Sequence, residues 1–293
     1  MYEPSSHKPI WLKKKIACGA AFRSVSDALQ TGKLHTVCEE ARCPNLGDCY
    51  ARGTATFLIL GSNCTRACRF CAISHETPKP PEPDEPSRVA GAVKSLGLAY
   101  VVVTSVTRDD LPDGGARQFA ETIRAIRGQC PETAVEVLIP DFRGNEAAVR
   151  MVCEAAPAVI GHNLETVPRL YTRIRPGAEY ARSLNLLRTV NTLYPSIRTK
   201  TGLMLGLGET REEVLAVLAN LRAHGCEFLS LGQYLQPHRG CEPVSRFVPP
   251  DEFRSLKETA LGRGFLHVEA GPFVRSSYHA ESWMPPAGQA ASC

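Results

Sequence analysis

The residues whose types and spacing promise chemistry are cysteines. Cys64, Cys68 and Cys71 stand in a C-x3-C-x2-C spacing within GSNCTRACRFCAI. Three thiolates so placed can wrap one corner of a cubane iron–sulfur cluster, leaving one iron without a protein thiolate. A structural zinc site would more often show two C-x2-C pairs and a closed four-ligand set. Just upstream, VCEEARCPNLGDC places Cys38, Cys43 and Cys49 in C-x4-C-x5-C, with turn signals at Pro44-Asn45 and Gly47-Asp48 that let the backbone curl. Taken alone, this second spacing is open between zinc, an iron–sulfur cluster and redox cysteines.

The whole chain sets the background for those motifs. It has 293 residues, 43% hydrophobic and 22% charged, which fits an ordinary globular protein and excludes disordered and collagen-like classes. Thirty-four Lys and Arg against 30 Asp and Glu give a net charge of +4, too mild to argue for nucleic acid. The opening segment lacks the apolar stretch of a signal peptide, and no run approaches the roughly 18 apolar residues of a membrane span. A cytoplasmic, reducing location is expected, so the 12 cysteines do not read as a disulfide framework. Cys18, Cys130, Cys153, Cys226, Cys241 and Cys293 have no ligand-like spacing and are read as buried or incidental thiols. The run Lys13-Lys14-Lys15 is read as a solvated face that could steer an acidic carrier domain.

The elements that must position the cysteines follow from Thr56 onward. Short β-branched runs at Thr56–Leu60, Tyr100–Ser105, Ala134–Ile139, Ala158–His162, Arg198–Leu205 and Phe228–Gly232, with a later one at Phe265–Val268, predict strands. Between them, helices are predicted at Ser87–Leu96, Ala116–Arg127, Asn145–Glu154, Ala181–Thr192, Thr210–His224 and Pro250–Arg263. Thr210 with Glu213 signals a capping box and Gly225 a stop. Such alternation predicts an α/β fold with a parallel sheet covered on both faces, and six units predict a partial (β/α)6 barrel rather than a closed eight-stranded one. Ligands then gather at the carboxyl ends of the strands. Pro78–Pro86 is expected to be a stiff acidic linker. The expected division is an N-terminal extension, 1–52, a barrel, 53–270, and a tail, 271–293.

The C-x3-C-x2-C loop after the first strand of a βα series resembles the radical S-adenosylmethionine superfamily. In that superfamily the open iron chelates S-adenosylmethionine and the cluster's electron yields a 5′-deoxyadenosyl radical. Beside such a motif the upstream triplet is favoured as the site of a second cluster, since two triplets cannot share one four-iron site. Further segments, CEEARCPN, VTSVTRDDLPDGGA, EVLIPDF, NLETVPRLY, RPGAEY, GLMLGLGET, GQYLQP and AGPFVRSSYHA, together resemble the lipoyl synthase family from about Cys38 to Ala280. The resemblance implies insertion of two sulfur atoms at carbons 6 and 8 of an octanoyl chain on a carrier-domain lysine, with two [4Fe-4S] clusters and S-adenosylmethionine as cofactors. It implies that the auxiliary cluster is the sulfur donor and that Ser277, in the Arg275-Ser276-Ser277-Tyr278 segment, is its fourth ligand.

The implied partners are an octanoylated lipoyl carrier domain (E2 subunits or the glycine-cleavage H protein), an electron donor such as flavodoxin or ferredoxin, and a cluster-repair carrier, with no nucleic acid and no membrane. For the S-adenosylmethionine pocket, Asn163, Glu165 and Arg175 after the fourth strand are candidates for ribose and carboxylate contacts. Gly206 and Gly208 after the fifth strand are candidates for close backbone approach. The turn Arg108-Asp109-Asp110 with Gly114-Gly115 is expected on the same rim, and His162 is read as a packed, hydrogen-bonded histidine. After GQYLQP the family commonly has a histidine-leucine-proline stretch, where this chain has Pro237-His238-Arg239-Gly240-Cys241-Glu242-Pro243. That departure is expected to alter the loop without touching either cysteine motif.

Overall fold

A computed structural model describes residues 8–13 and 19–283. Cys18, Cys293, Lys14 and Lys15 lie outside the described residues. Eight strands form one sheet in sequential order: β1 (His35–Thr36), β2 (Thr56–Ile59), β3 (Tyr100–Ser105), β4 (Ala134–Leu138), β5 (Val159–Gly161), β6 (Arg198–Leu205), β7 (Phe228–Gln233) and β8 (His267–Gly271). All neighbouring pairs are parallel except β1 with β2, which is antiparallel. The helices are α1 (Ala20–Gly32), α2 (Val37–Glu40), α3 (Leu46–Ala51), α4 (Glu85–Leu96), α5 (Ala116–Gln129), α6 (Glu146–Glu154), α7 (Tyr171–Ile174), α8 (Tyr180–Leu193), α9 (Arg211–Ala223) and α10 (Pro250–Gly262).

The α/β partial-barrel class holds, and the sheet is buried on both faces where the strands read as continuous apolar runs, as in β2 and β7. Local chemistry fixes the helix ends. Thr210 and Glu213 form the reciprocal capping box that starts α9, and the Asn145 side chain accepts from Ala148 N to start α6.

The N-terminal extension adds the two-residue β1 to the sheet. Two expectations need correction. The last strand lies at His267–Gly271, because Phe265 N caps α10 on Ala260 O and its buried ring packs in the core. The acidic linker stops short of Pro86: Glu85 and Pro86 form the first turn of α4, and the Glu85 carboxylate is buried, accepting from Leu60 N at 3.1 and 3.0 Å and from Gln118 Nε2 at 2.8 Å. Leu60 sits in the left-handed region (φ 68), which turns the chain out of β2 into the cysteine loop. A non-glycine residue there is strained, and the buried Glu85 holds it.

After β8 the chain returns along the concave side of the sheet as a strap, residues 272–283. Its start passes the carboxyl end of β7 so closely that a Cβ on Gly232 would lie 2.1 Å from Val274 O. At its end, Ala280 and Trp283 are buried in one cluster with Val102 of β3, Val159 of β5 and Phe228 of β7. Residues of strands this far apart in the sheet join one cluster with the strap only if the sheet curls around it. The strap therefore runs down the inside of the partial barrel.

Candidate functional site

The six motif cysteines come from two loops that the fold brings to one place. Cys64, Cys68 and Cys71 follow β2, at the carboxyl end of the barrel. Cys38 lies in α2, Cys49 in α3, and Cys43 in the turn between them, where Cys43 N bonds to Cys38 O at 3.0 Å. All six line a single cavity of about 490 Å³ together with Asn163, Glu165, Arg175, Ser276 and Ser277. That volume lies within the range of small-molecule sites.

The two cysteine sets are held differently. Arg66, between Cys64 and Cys68, is buried and pins the loop: Nε and Nη2 donate to the Asp109 carboxylate at 2.7 and 2.9 Å, and Nη2 donates to Asp141 Oδ1 at 2.6 Å. Cys64 Sγ accepts from Thr107 N at 3.3 Å and Arg66 N at 3.5 Å, contacts of the kind that tune a cluster's potential. Burial pushes Cys68 up to about 11, opposed by Arg175, and Cys71 up to about 12. The hydrogen bond with Cys49, reinforced by burial, raises Cys38 still further. Thiols held this way must release protons on binding iron, so cluster assembly is coupled to pH.

Among the described residues, no three His, Cys, Asp or Glu side chains converge as a single metal ion would require. A cubane makes another demand, with each thiolate on its own iron around a volume, and two loops of three cysteines bordering one cavity meet it. The donor chemistry thus fits clusters better than zinc.

Of the other candidate residues, Asn163, Glu165 and Arg175 do line the cavity. Glu165 has a left-handed backbone (φ 65), locked by Glu165 N to Gly202 O and Met204 N to Glu165 O. Burial pushes its carboxyl above the ordinary range, opposed by Arg175 and by the bond from Asn163 Nδ2 at 3.0 Å. Arg175 spends Nη1 on the carbonyls of Asn163 and Leu164 and on Tyr171 Oη, while its buried Nε, like Asn163 Oδ1, has no partner among the described residues. Two unpartnered polar atoms on a cavity wall fit a polar ligand such as S-adenosylmethionine.

Gly206 and Gly208 are not brought to the cavity wall. Gly206 N donates to Glu209, and a Cβ there would meet Gln233 and Arg246, so it closes a loop behind the site; Gly208 O accepts from Arg169. His162 is buried, with Nδ1 on Ile139 O and Nε2 on Ser183 Oγ, as read from sequence, although its ring also borders the cavity. Arg108 turns inward to bond Asp110, and Asp109 serves Arg66.

Ser277 Oγ accepts from Thr56 Oγ1 at 2.7 Å, and the Thr56 backbone reaches Cys38. Ser276 Oγ accepts from Asn163 Nδ2 at 2.5 Å. The serine pair thus joins the two halves of the cavity. Sequence reasoning missed Arg66 and Ser276, and it treated the 237–243 loop as separate from the cysteine motifs. In space that loop packs on one of them, with Cys241 Sγ at 3.4 Å from Cys71 O and Glu242 N at 2.7 Å from Arg69 O.

Comparison with known proteins joins these observations. The radical SAM superfamily profile matches residues 58–221, and the N-terminal domain of lipoyl synthase matches residues 3–43. A lipoyl synthase of Geobacter metallireducens is 57% identical over 273 residues, 93% of this chain and 96% of its own. That of Laribacter hongkongensis is 52% identical over 95% of this chain and 89% of its own. The chain belongs to the lipoyl synthase family. Family membership carries two [4Fe-4S] clusters and S-adenosylmethionine with it. Among solved structures, methylornithine synthase is similar at a TM-score of 0.54 and 14% identity, covering 93% of this chain and 80% of its own. The hydrogenase maturase HydG is similar at 0.55 and 14%, covering 88% and 73%. At such identities these structures show the fold that lipoyl synthases share with other radical enzymes.

Proposed function

We infer that the chain is a lipoyl synthase, replacing hydrogens at carbons 6 and 8 of a carrier-bound octanoyl chain by sulfur. The observation that carries this reading is that both cysteine triplets border one cavity whose remaining wall is largely apolar, including Leu58, Ile73, Leu138 and Met204. An unactivated C–H bond offers no acidic proton, so a general base cannot start the reaction. When bound, the radical cluster on Cys64, Cys68 and Cys71, with S-adenosylmethionine, supplies a primary carbon radical strong enough to take that hydrogen. The auxiliary cluster is a substrate, consumed as the sulfur donor, and we assign Cys38, Cys43, Cys49 and Ser277 to hold it.

The chain's own residues supply position and exclusion. Both cysteine loops border one cavity, so sulfur held there would meet the bound chain without a diffusive step. The apolar wall grips the octanoyl group and keeps water from a reactive carbon. Asn163, Glu165 and Arg175 are assigned to the ribose and carboxylate of S-adenosylmethionine. A hydroxyl ligand at Ser277 would be a harder, weaker partner for iron than a thiolate, and so the most readily released of the four.

The three-part division at 1–52, 53–270 and 271–293 is kept as a functional one: auxiliary loop, radical barrel and strap. As finer partners we propose a flavodoxin or ferredoxin as reductant and a cluster-repair carrier to rebuild the consumed cluster. The E2 subunits or the glycine-cleavage H protein would present the octanoyl group. Among the described residues no helix is long and apolar enough to cross a membrane. A cytoplasmic, reducing setting suits an enzyme whose ligand thiols must stay reduced.

The test is mass spectrometry of an octanoyl-lysine peptide after anaerobic incubation with reconstituted protein, S-adenosylmethionine and a strong reductant. Products carrying one and then two sulfurs are expected. Abundant 5′-deoxyadenosine with an unchanged peptide would reject the substrate.

A further inference from the structure

Ser277 sits in the middle of the strap, and its Oγ position depends on what holds the strap at each end. On the upper side, Asn45 of the auxiliary loop donates Nδ2 to Phe273 O at 2.7 Å. Beyond Ser277, Arg52, just after α3, bonds His279 Nδ1 at 2.6 Å and Glu281 at 3.2 Å, but these contacts are exposed and weak. The buried hold is Trp283.

Its ring centroid lies 3.9 Å from Lys200 Nζ, 4.6 Å from the His267 ring and 5.4 Å from the Phe228 ring. Lys200 is itself fixed, donating to both oxygens of Glu136 at 2.7 and 2.9 Å, while Tyr100 Oη donates to the same carboxylate at 2.6 Å. A desolvated ammonium over an indole is the strong form of the cation–π contact. This buried charge pair lies at the amino ends of the strands, away from the cysteines, and the chemistry proposed above makes no use of it.

We propose that Trp283 is a positioning residue for Ser277, seated on the Lys200–Glu136 pair so that the strap presents the Ser277 hydroxyl to the Cys38, Cys43 and Cys49 loop. This rests on the reading of Ser277 as the auxiliary cluster's fourth ligand. Without the anchor the strap keeps its upper tie at Asn45, but its lower half swings, and the serine no longer stays beside Thr56.

The test compares Trp283→Ala, Trp283→Leu, Trp283→Phe and Ser277→Ala in the full-length reconstituted protein. Three readouts are used: amide hydrogen exchange of the strap, EPR of the oxidised protein for the three-iron form that a cubane leaves on losing its weakly held iron, and product ratios. Trp283→Ala should speed exchange across 274–283, raise the three-iron signal as Ser277→Ala does, and lower two-sulfur product about tenfold. It should leave 5′-deoxyadenosine formation within about twofold of the parent, because removing an outer positioning group acts on one site alone.

Trp283→Phe keeps a smaller π face over Lys200 and loses the indole N–H, which has no partner among the described residues, so it should keep most of the parental behaviour. Trp283→Leu keeps a smaller apolar side chain there without a π face and behaves as the Ala variant does, which keeps the test open if Trp283→Ala fails to fold. Parental strap exchange, or an unchanged EPR signal in Trp283→Leu, would overturn the proposal. If Ser277→Ala itself leaves the EPR signal unchanged, the ligand reading fails first, and the two failures are told apart.

Discussion

Replacing Lys200 by Met breaks a buried charge pair on one side only. The two side chains are 2% and 1% exposed, and the ammonium satisfies both carboxylate oxygens of Glu136. With the lysine gone, Glu136 keeps a bond from Tyr100 and stands inside the barrel without its counter-charge. Losing one partner of a buried pair costs about 3–5 kcal/mol, a large part of the roughly 5–15 kcal/mol that holds a domain together. For a chain of this size that lowers Tm by roughly 5–8 °C. Glu136→Leu alone strands the ammonium and should cost a similar amount. The double variant removes both charges and should recover most of the loss, so the two single effects must fail to add. Urea and thermal unfolding of the four proteins measure this cycle. Additive single effects, with the double variant worst, would refute the claim that the pair is desolvated and mutually dependent.

Three further outcomes are expected. Cys68→Ala should abolish 5′-deoxyadenosine, whereas Cys43→Ala should retain cofactor cleavage and lose sulfur insertion; chromatography of the nucleoside beside mass spectrometry of the peptide separates the two. Gly232→Ala drives a methyl into the Val274 carbonyl 2.1 Å away, so the strap must shift and two-sulfur product should fall by about tenfold or more, with product analysis as the check. Acid should destabilise the fold through His162, whose pKa burial, helped by Arg175, lowers to about 4. The unfolded chain takes up that proton below about pH 6.5 and the folded chain does not, so the contribution is full above 6.5 and lost as pH falls through 4. It amounts to something on the order of 3 kcal/mol, and urea midpoints at pH 7 and pH 5 should differ in the wild type but much less in His162→Gln.

The parallel strands could be read from sequence because burial on both faces leaves continuous β-branched runs, as in Tyr100–Ser105. The two-residue β1 carries no such pattern; it exists because β2 offers an edge, which is a tertiary fact. Phe265 belongs to an apolar run that looked like strand, yet its own backbone is spent on capping a helix. The cysteines were legible because ligand spacing is local. Ser276, paired with Asn163 across 113 positions, had no local mark, and neither did Lys200 with Glu136, 64 positions apart. Arg66 had a weak one: a cation between two ligand cysteines is a candidate strut. The glycines 206 and 208 were legible only as turn residues, because the conformational freedom of glycine signals a turn without saying what the turn faces.

The route of the strap sets an order of assembly. Its ties to the auxiliary loop, Asn45 to Phe273, Arg52 to His279 and Thr56 to Ser277, each span more than 220 positions. Contacts of such separation form late, since a long loop must close before they return anything. The strap is also synthesised after every strand it threads. During biogenesis the barrel can therefore pair its strands while its interior is still open and the auxiliary cysteines lie uncovered. In the finished protein the end of the same segment is buried at Ala280 and Trp283, so the last part of the chain to arrive closes the barrel's interior behind whatever was loaded there first.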